Sequence, residues 1–122
     1  MKSAKCSIIL TFLLALCLLG VTTHLSAAEE GEQVIKITAK RFEYSPKDIT
    51  VKMGVPVVLE FTSLDVLHGF SCPTFKIRTD IAPGKENTLR FTPDKAGTFA
   101  FHCDNFCGLG HGEMTGTITV TP

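Results

Sequence analysis

No stretch of this 122-residue chain carries the roughly 20 consecutive apolar residues that a membrane-spanning helix needs. The longest mainly apolar run, Ile8 to Val21, is only 14 residues. Lys2 and Lys5 precede it and Ser26-Ala27-Ala28 follow it, which is the order of a secretory signal cut after Ala28. Retention of residues 1–28 as an anchor is the alternative. Lipid attachment at Cys17 is not expected, because Leu16 before it is too bulky. An internal repeat is also missing, so one domain is expected. Charge of one sign is not concentrated anywhere. All 12 acidic and 10 of the 12 basic residues lie beyond Ala28, leaving a formal charge of about −2 there. Without a basic patch, nucleic acid is excluded as a partner. The sequence also lacks a Ser–His–Asp arrangement, paired catalytic carboxylates and a phosphate loop. With four histidines, one of them His24 in the signal, few acid–base groups are left for catalysis. An electron carrier or binding protein is expected before an enzyme.

Cysteine is scarce in an informative way. Removing Cys6 and Cys17 with the signal leaves Cys72, Cys103 and Cys107. An odd number exported to an oxidising compartment makes a poor disulfide framework. Metal ligation is the better use for at least two of them. A domain this small also benefits from such a staple, since it buries only around 60% of its unfolded surface.

What remains is a series of short runs rich in β-branched and aromatic residues. After a short acidic tail, residues 29–33, Val34–Lys40 reads as a strand with Ile35, Ile37 and Ala39 on one face. Ser45-Pro46-Lys47-Asp48 reads as a turn and Ile49–Lys52 as a second strand. Gly54 and Pro56 break the chain before Val57–Thr62, a near-continuous apolar strand that both faces can bury. Thr88–Phe91, Thr98–Cys103 and Thr115–Val120 complete the set. A helical period is nowhere convincing. The fold class is all-β, a sandwich or barrel over residues 34–122.

The chemistry concentrates in Cys103-x3-Cys107-x3-His111-x2-Met114. Thiolate and imidazole suit copper and zinc, and the thioether adds a preference for copper. Strand alternation turns Cys103 inward with Phe99 and Phe101, and turns His102 to the opposite face. Gly108, Gly110 and Gly112 let the loop curl around one small object. A second imidazole is available at His68, in the loop expected after Val57–Thr62. Spacing alone does not connect it to the later run. A Cys103–Cys107 disulfide, a structural zinc site and a Met114 that is simply core all stay open on the residues alone. Cys72, four residues after His68, reads as a partly buried free thiol, with copper delivery as its functional alternative. His102 reads as a surface residue, with an accessory metal or partner contact as the alternative. Asp65 is expected to fix its own turn, with support of a ligand loop as the alternative. Phe70, Phe106 and Leu109 are candidates for an apolar rim where a partner docks.

The segment from Cys103 through Met114 to Thr117, together with Phe61-Thr62-Ser63-Leu64-Asp65-Val66-Leu67-His68-Gly69-Phe70, resembles the dinuclear copper (CuA) domain of cytochrome c oxidase subunit II. The style is nearest to the single-helix B-type haem-copper oxidases, and nitrous oxide reductase has a similar domain. The resemblance covers residues 34–121 and implies a cupredoxin fold with two copper ions. It implies bridging by Cys103 and Cys107, with His68 and His111 as terminal ligands. Met114 and the backbone carbonyl of Asn105 would be weak ligands, the side chain at 105 being free to vary. Implied partners are a c-type cytochrome, a terminal oxidase or reductase, and a copper chaperone. Subunit II carries a full transmembrane helix before this domain, whereas a signal-like segment stands here. That difference favours an exported, periplasmic carrier, with a copper-trafficking or storage protein and an anchored oxidase subunit as the rivals.

Overall fold

Alternating apolar and polar side chains along the short runs give each strand one face to bury, and two sheets stacked face to face bury them together. The computed structural model describes residues 31–122. The expected signal segment, residues 1–28, lies outside the described residues, as does the start of the acidic tail. The strands are β1 Gln33–Lys40, β2 Glu43–Ser45, β3 Asp48–Lys52, β4 Val57–Ser63, β5 His68–Cys72, β6 Ile77–Ile81, β7 Glu86–Phe91, β8 Gly97–His102 and β9 Thr115–Thr121. One sheet has the order β2-β1-β4-β7 and the other β3-β9-β8-β5-β6. β1 runs parallel to β4, and β3 parallel to β9; the other pairs are antiparallel. The architecture is the expected all-β sandwich.

The core follows the pattern strand by strand. Ile37 and Ala39 of β1 are buried, with Ile35 packed against them. In β4, Val57, Leu59 and Phe61 point into the core, whereas the other face is buried only at Val58 and opens to solvent through Glu60 and Thr62, so the expected burial of both faces holds only at the strand's start. An aromatic spine crosses between the sheets. Phe61 meets Phe70 at 4.8 Å between ring centroids, Phe70 meets Phe101 at 4.8 Å, and Phe101 meets Tyr44 edge-on at 5.1 Å. Gly116 of β9 is required by this spine. A Cβ there would fall 2.2 Å from the Lys47 carbonyl and 2.3 Å from the Phe101 ring.

Three expectations change. His68 and Cys72 do not lie in a loop; they are the first and last residues of β5. The reason is that His-Gly-Phe-Ser-Cys has no alternation to read, and its burial comes from β6 and β8 on either side. Phe70 is not a rim residue, because it sits fully buried at the centre of the aromatic spine. Cys72 is completely rather than partly buried.

Phe101→Ala is expected to cost about 3–5 kcal/mol, because it empties the middle of the spine. Thr98→Ala, on the exposed side of the same strand, should stay within about 0.5 kcal/mol. Urea unfolding of both variants checks this, and equal midpoints would contradict it.

Candidate metal centre

Two connections meet at one end of the sandwich. The β4–β5 connection delivers His68, and the β8–β9 connection delivers residues 103 to 114. The second is pinched at its base, where the Cys103 amide donates to the Met114 carbonyl at 3.0 Å. Cys103, one residue past β8, continues the inward face of Phe101 and is buried, as are Cys107, Met114 and His68. The thiol sulfurs are 3.9 Å apart and unbonded, well beyond the ~2.05 Å of a disulfide. Cys107 Sγ lies 3.6 Å from His111 Nδ1 and 3.9 Å from Met114 Sδ. Cys103 Sγ lies 3.1 Å from the Asn105 carbonyl and accepts from the Gly69 amide at 3.3 Å. Candidate ligand atoms of His68, Cys103 and Cys107 all fall within 4.8 Å of one another.

His68 tests whether this donor set fits a metal. Its Nε2 lies 2.6 Å from Asp65 Oδ1. An ionised carboxylate only accepts, so Nε2 is the donor, and in the neutral ring Nδ1 then keeps the lone pair. That Nδ1 is buried and has no hydrogen-bond partner among the described residues. A buried acceptor without a donor is costly, and a cation held by two thiols nearby removes the cost. Thiols, imidazoles and a thioether together suit copper. The residues fit the metal.

A supporting layer holds both connections. Burial alone would raise the Asp65 carboxyl, but hydrogen bonds from the Arg41 amide, His68 and the Val66 amide win and hold it at about 2. Arg41 reaches the other loop as well. Its backbone amide donates to Asp65 Oδ2 at 2.8 Å while its Nε donates to the Cys107 carbonyl at 2.8 Å. The neighbouring Phe42 ring fills the space under the cysteine loop. An added Cβ would come within 2.9 Å of it at Gly108, where φ is +141°, and within 2.4 Å at Gly110. Gly112 has open space around it, so only two of the three loop glycines are required by packing. Beneath the site the Tyr44 hydroxyl donates to the Gly69 carbonyl at 2.6 Å. Burial, followed by the charge of Cys103, drives that phenol far above its ordinary range.

Asp65 thus takes the supporting role that was its alternative, while also bonding the Val66 amide within its own turn. Cys72 is not part of the group. It ends β5, four residues from His68, or about 13 Å along an extended strand. His102 faces solvent, as alternation requires. Around the mouth, Phe106 is 78% exposed and Leu109 fully so, with Leu64 and Leu67 beside them in exposure. Arg41 and Phe42 escaped the sequence reading. A basic–aromatic pair at a strand end is a weak signal, and its contact with Cys107 spans 66 residues.

The model for the cupredoxin-like domain family matches residues 8–120. Cytochrome c oxidase subunit 2 of Thermus thermophilus is 37% identical over 90 residues, covering 74% of this chain and 67% of that protein. Against the protein of the same name from Thermus thermophilus strain ATCC 27634, the identity is again 37%, but the chain spans only 54%, about half, of its length. Among solved structures, the periplasmic domain of subunit II of cytochrome oxidase (CoxB) of Bradyrhizobium japonicum superposes with a TM-score of 0.69 at 24% identity, over 75% of this chain and 86% of that one. This last likeness concerns the fold. The metal-binding domain of the Cu(I)-exporting P-type ATPase CopA of Streptococcus pneumoniae D39, solved with Cu(I), gives 0.60 at 26% identity, over 77% and 90%.

Burial, and then the hydrogen bond and charge of Cys103, push the Cys107 thiol from 9.0 up to about 11. The folded metal-free protein therefore keeps a proton that the unfolded chain releases. Stability from this group is present below pH 9 and is lost as pH rises toward 11. Urea unfolding of the metal-free protein should show that decline, and Cys107→Ser should make it shallower, leaving the part that the raised Cys72 and Tyr44 contribute. A decline of the same size in Cys107→Ser would contradict the assignment.

Proposed function

This chain belongs to the cupredoxin-like domain family, with cytochrome c oxidase subunit 2 among its relatives, and from that premise we propose that it is an exported electron carrier with a dinuclear copper centre. The observation that carries the reading is the buried His68 Nδ1, partnerless among the described residues and grouped with two free thiols. Cys103 and Cys107 would hold the copper through their thiolates, together with His68 Nδ1 and His111 Nδ1. Met114 Sδ and the Asn105 carbonyl are the weak ligands. A thiolate-rich copper centre there would supply one-electron transfer with little change of geometry between redox states.

The chain's own contribution is rigidity and dryness. Asp65 fixes the His68 ring and tautomer, and Arg41 ties that carboxylate to the cysteine loop. Burial shields both thiols, His68 and Met114 from water, while His111 stays half-exposed at the mouth. The exposed Leu64, Leu67, Phe106 and Leu109 form the surface where a c-type cytochrome delivers one electron and a terminal oxidase or reductase removes it. Export rests on the signal-like residues 1–28. Among the described residues no helix is long and apolar enough to cross a membrane, and an anchored oxidase subunit is the corresponding alternative.

A second reading, trafficking or storage of Cu(I), is favoured by the likeness to the CopA metal-binding domain solved with Cu(I). It loses the support expected from Cys72, which lies at the far end of β5. Copper loading of the protein lacking residues 1–28, followed by electron paramagnetic resonance, separates the two. The expected signal has hyperfine structure from two equivalent copper nuclei. A mononuclear pattern, or a silent Cu(I) form that yields its metal readily to a chelator, would replace the electron carrier with the trafficking protein.

A further inference from the structure

We propose that Arg78 is a positioning residue for the copper centre, holding the Asn105 carbonyl in place through a clamp built from β6. The proposal rests on the reading above, in which that carbonyl is a weak ligand. β6 is the edge strand of its sheet, and its alternation sends Ile77 and Ile81 inward and Arg78 and Asp80 outward. The Arg78 guanidinium grips Asp104 with two bonds, Nε to Oδ2 at 2.5 Å and Nη2 to Oδ1 at 2.9 Å. The same Nη2 donates to Asp80 Oδ1 at 2.7 Å. That Asp80 oxygen in turn accepts from Asn105 Nδ2 at 2.8 Å, and Nδ2 also reaches the His68 carbonyl at 3.3 Å. Asp104 and Asn105, the two residues that follow Cys103, are thus both tied by their side chains to the strands beneath.

Gly69 makes this close approach possible. A Cβ there would stand 2.0 Å from Asp104 Oδ1 and 3.1 Å from the Asn105 amide nitrogen, so the loop lies directly on the β5 backbone. With its side chain anchored on one side, Asn105 presents its carbonyl 3.1 Å from Cys103 Sγ on the other. The family resemblance leaves the side chain at 105 free, because only a carbonyl is used. In this chain the side chain has a task, which is to aim that carbonyl. A single exposed ion pair contributes little. A two-pronged Arg–carboxylate grip shared with a second carboxylate and an amide contributes direction, because the guanidinium fork fixes geometry as well as charge. Weak axial contacts tune a copper site's potential, so the clamp sets a redox property from the protein surface.

The test compares wild type, Arg78→Gln and Arg78→Lys. In the metal-free protein, amide hydrogen exchange at Cys103 and Gly69, whose N–H groups bond the Met114 carbonyl and Cys103 Sγ at the loop base, should accelerate about tenfold or more in Arg78→Gln, with the β4 and β9 amides unchanged. Unchanged exchange at both would overturn the clamp whether or not copper binds. In the copper-loaded protein, Arg78→Gln should keep the wild-type copper content but shift both the reduction potential and the copper hyperfine pattern. Arg78→Lys keeps the charge without the fork and should follow Arg78→Gln. A Lys variant identical to wild type would overturn the geometric role. High salt, which screens exposed charges, should move the wild-type spectrum toward that of the variants and leave theirs alone. If the loop loosens but wild type never gives a dinuclear signal, the copper reading fails and the loop clamp stands.

Discussion

His68 Nε2 donates to Asp65 at 2.6 Å, and that bond decides what the other ring nitrogen does. With Nε2 donating, Nδ1 of the neutral ring offers a buried lone pair that no donor among the described residues meets. The two thiols stand close by, and the Asp65 carboxylate stays ionised well into acid because three donors face it. A metal cation resolves the unsatisfied nitrogen and the crowding of sulfurs together. The site is a place that the fold leaves electrostatically incomplete.

Holding it in that state is a packing problem, and the sandwich solves it from below and from the side. The aromatic spine ties β4 in one sheet to β5 and β8 in the other, so the strands that launch His68 and Cys103 keep their spacing. Tyr44 bonds the β5 backbone right after His68. Arg41 and Phe42 wedge under the cysteine loop and reach the His68 support in the same step. The ligands therefore sit on strands or on a loop pinched at its base, which is the kind of rigid mount that a centre changing only its electron count requires.

Much of this is legible in the amino-acid sequence. β1, β8 and β9 follow from alternation and β4 from its near-continuous apolar run, and the Cys103–Met114 run points to metal chemistry through its residue types and spacing. His68 joins it only through a family resemblance, since 35 residues separate it from Cys103 and no periodicity links them. β5 resembles a loop in sequence because its burial is supplied by neighbours rather than by its own pattern. That one ambiguity brings Cys72 toward the site and Phe70 to the surface in the sequence reading. In an extended strand four residues separate Cys72 widely from His68, and every second side chain, Phe70 among them, turns into the core. Arg41, Phe42 and Arg78 act across 24 to 66 residues of sequence, and local pattern does not encode contacts at that distance.

The proposed function requires this preformed pocket to hold two coppers through Cys103 and Cys107. X-ray absorption at the copper edge of the loaded protein, paired with native mass spectrometry, addresses it directly. The expected result is two coppers per chain, each with sulfur and imidazole neighbours and each seeing the other as a close metal scatterer. One copper per chain, or copper with sulfur neighbours and no second metal nearby, would contradict it.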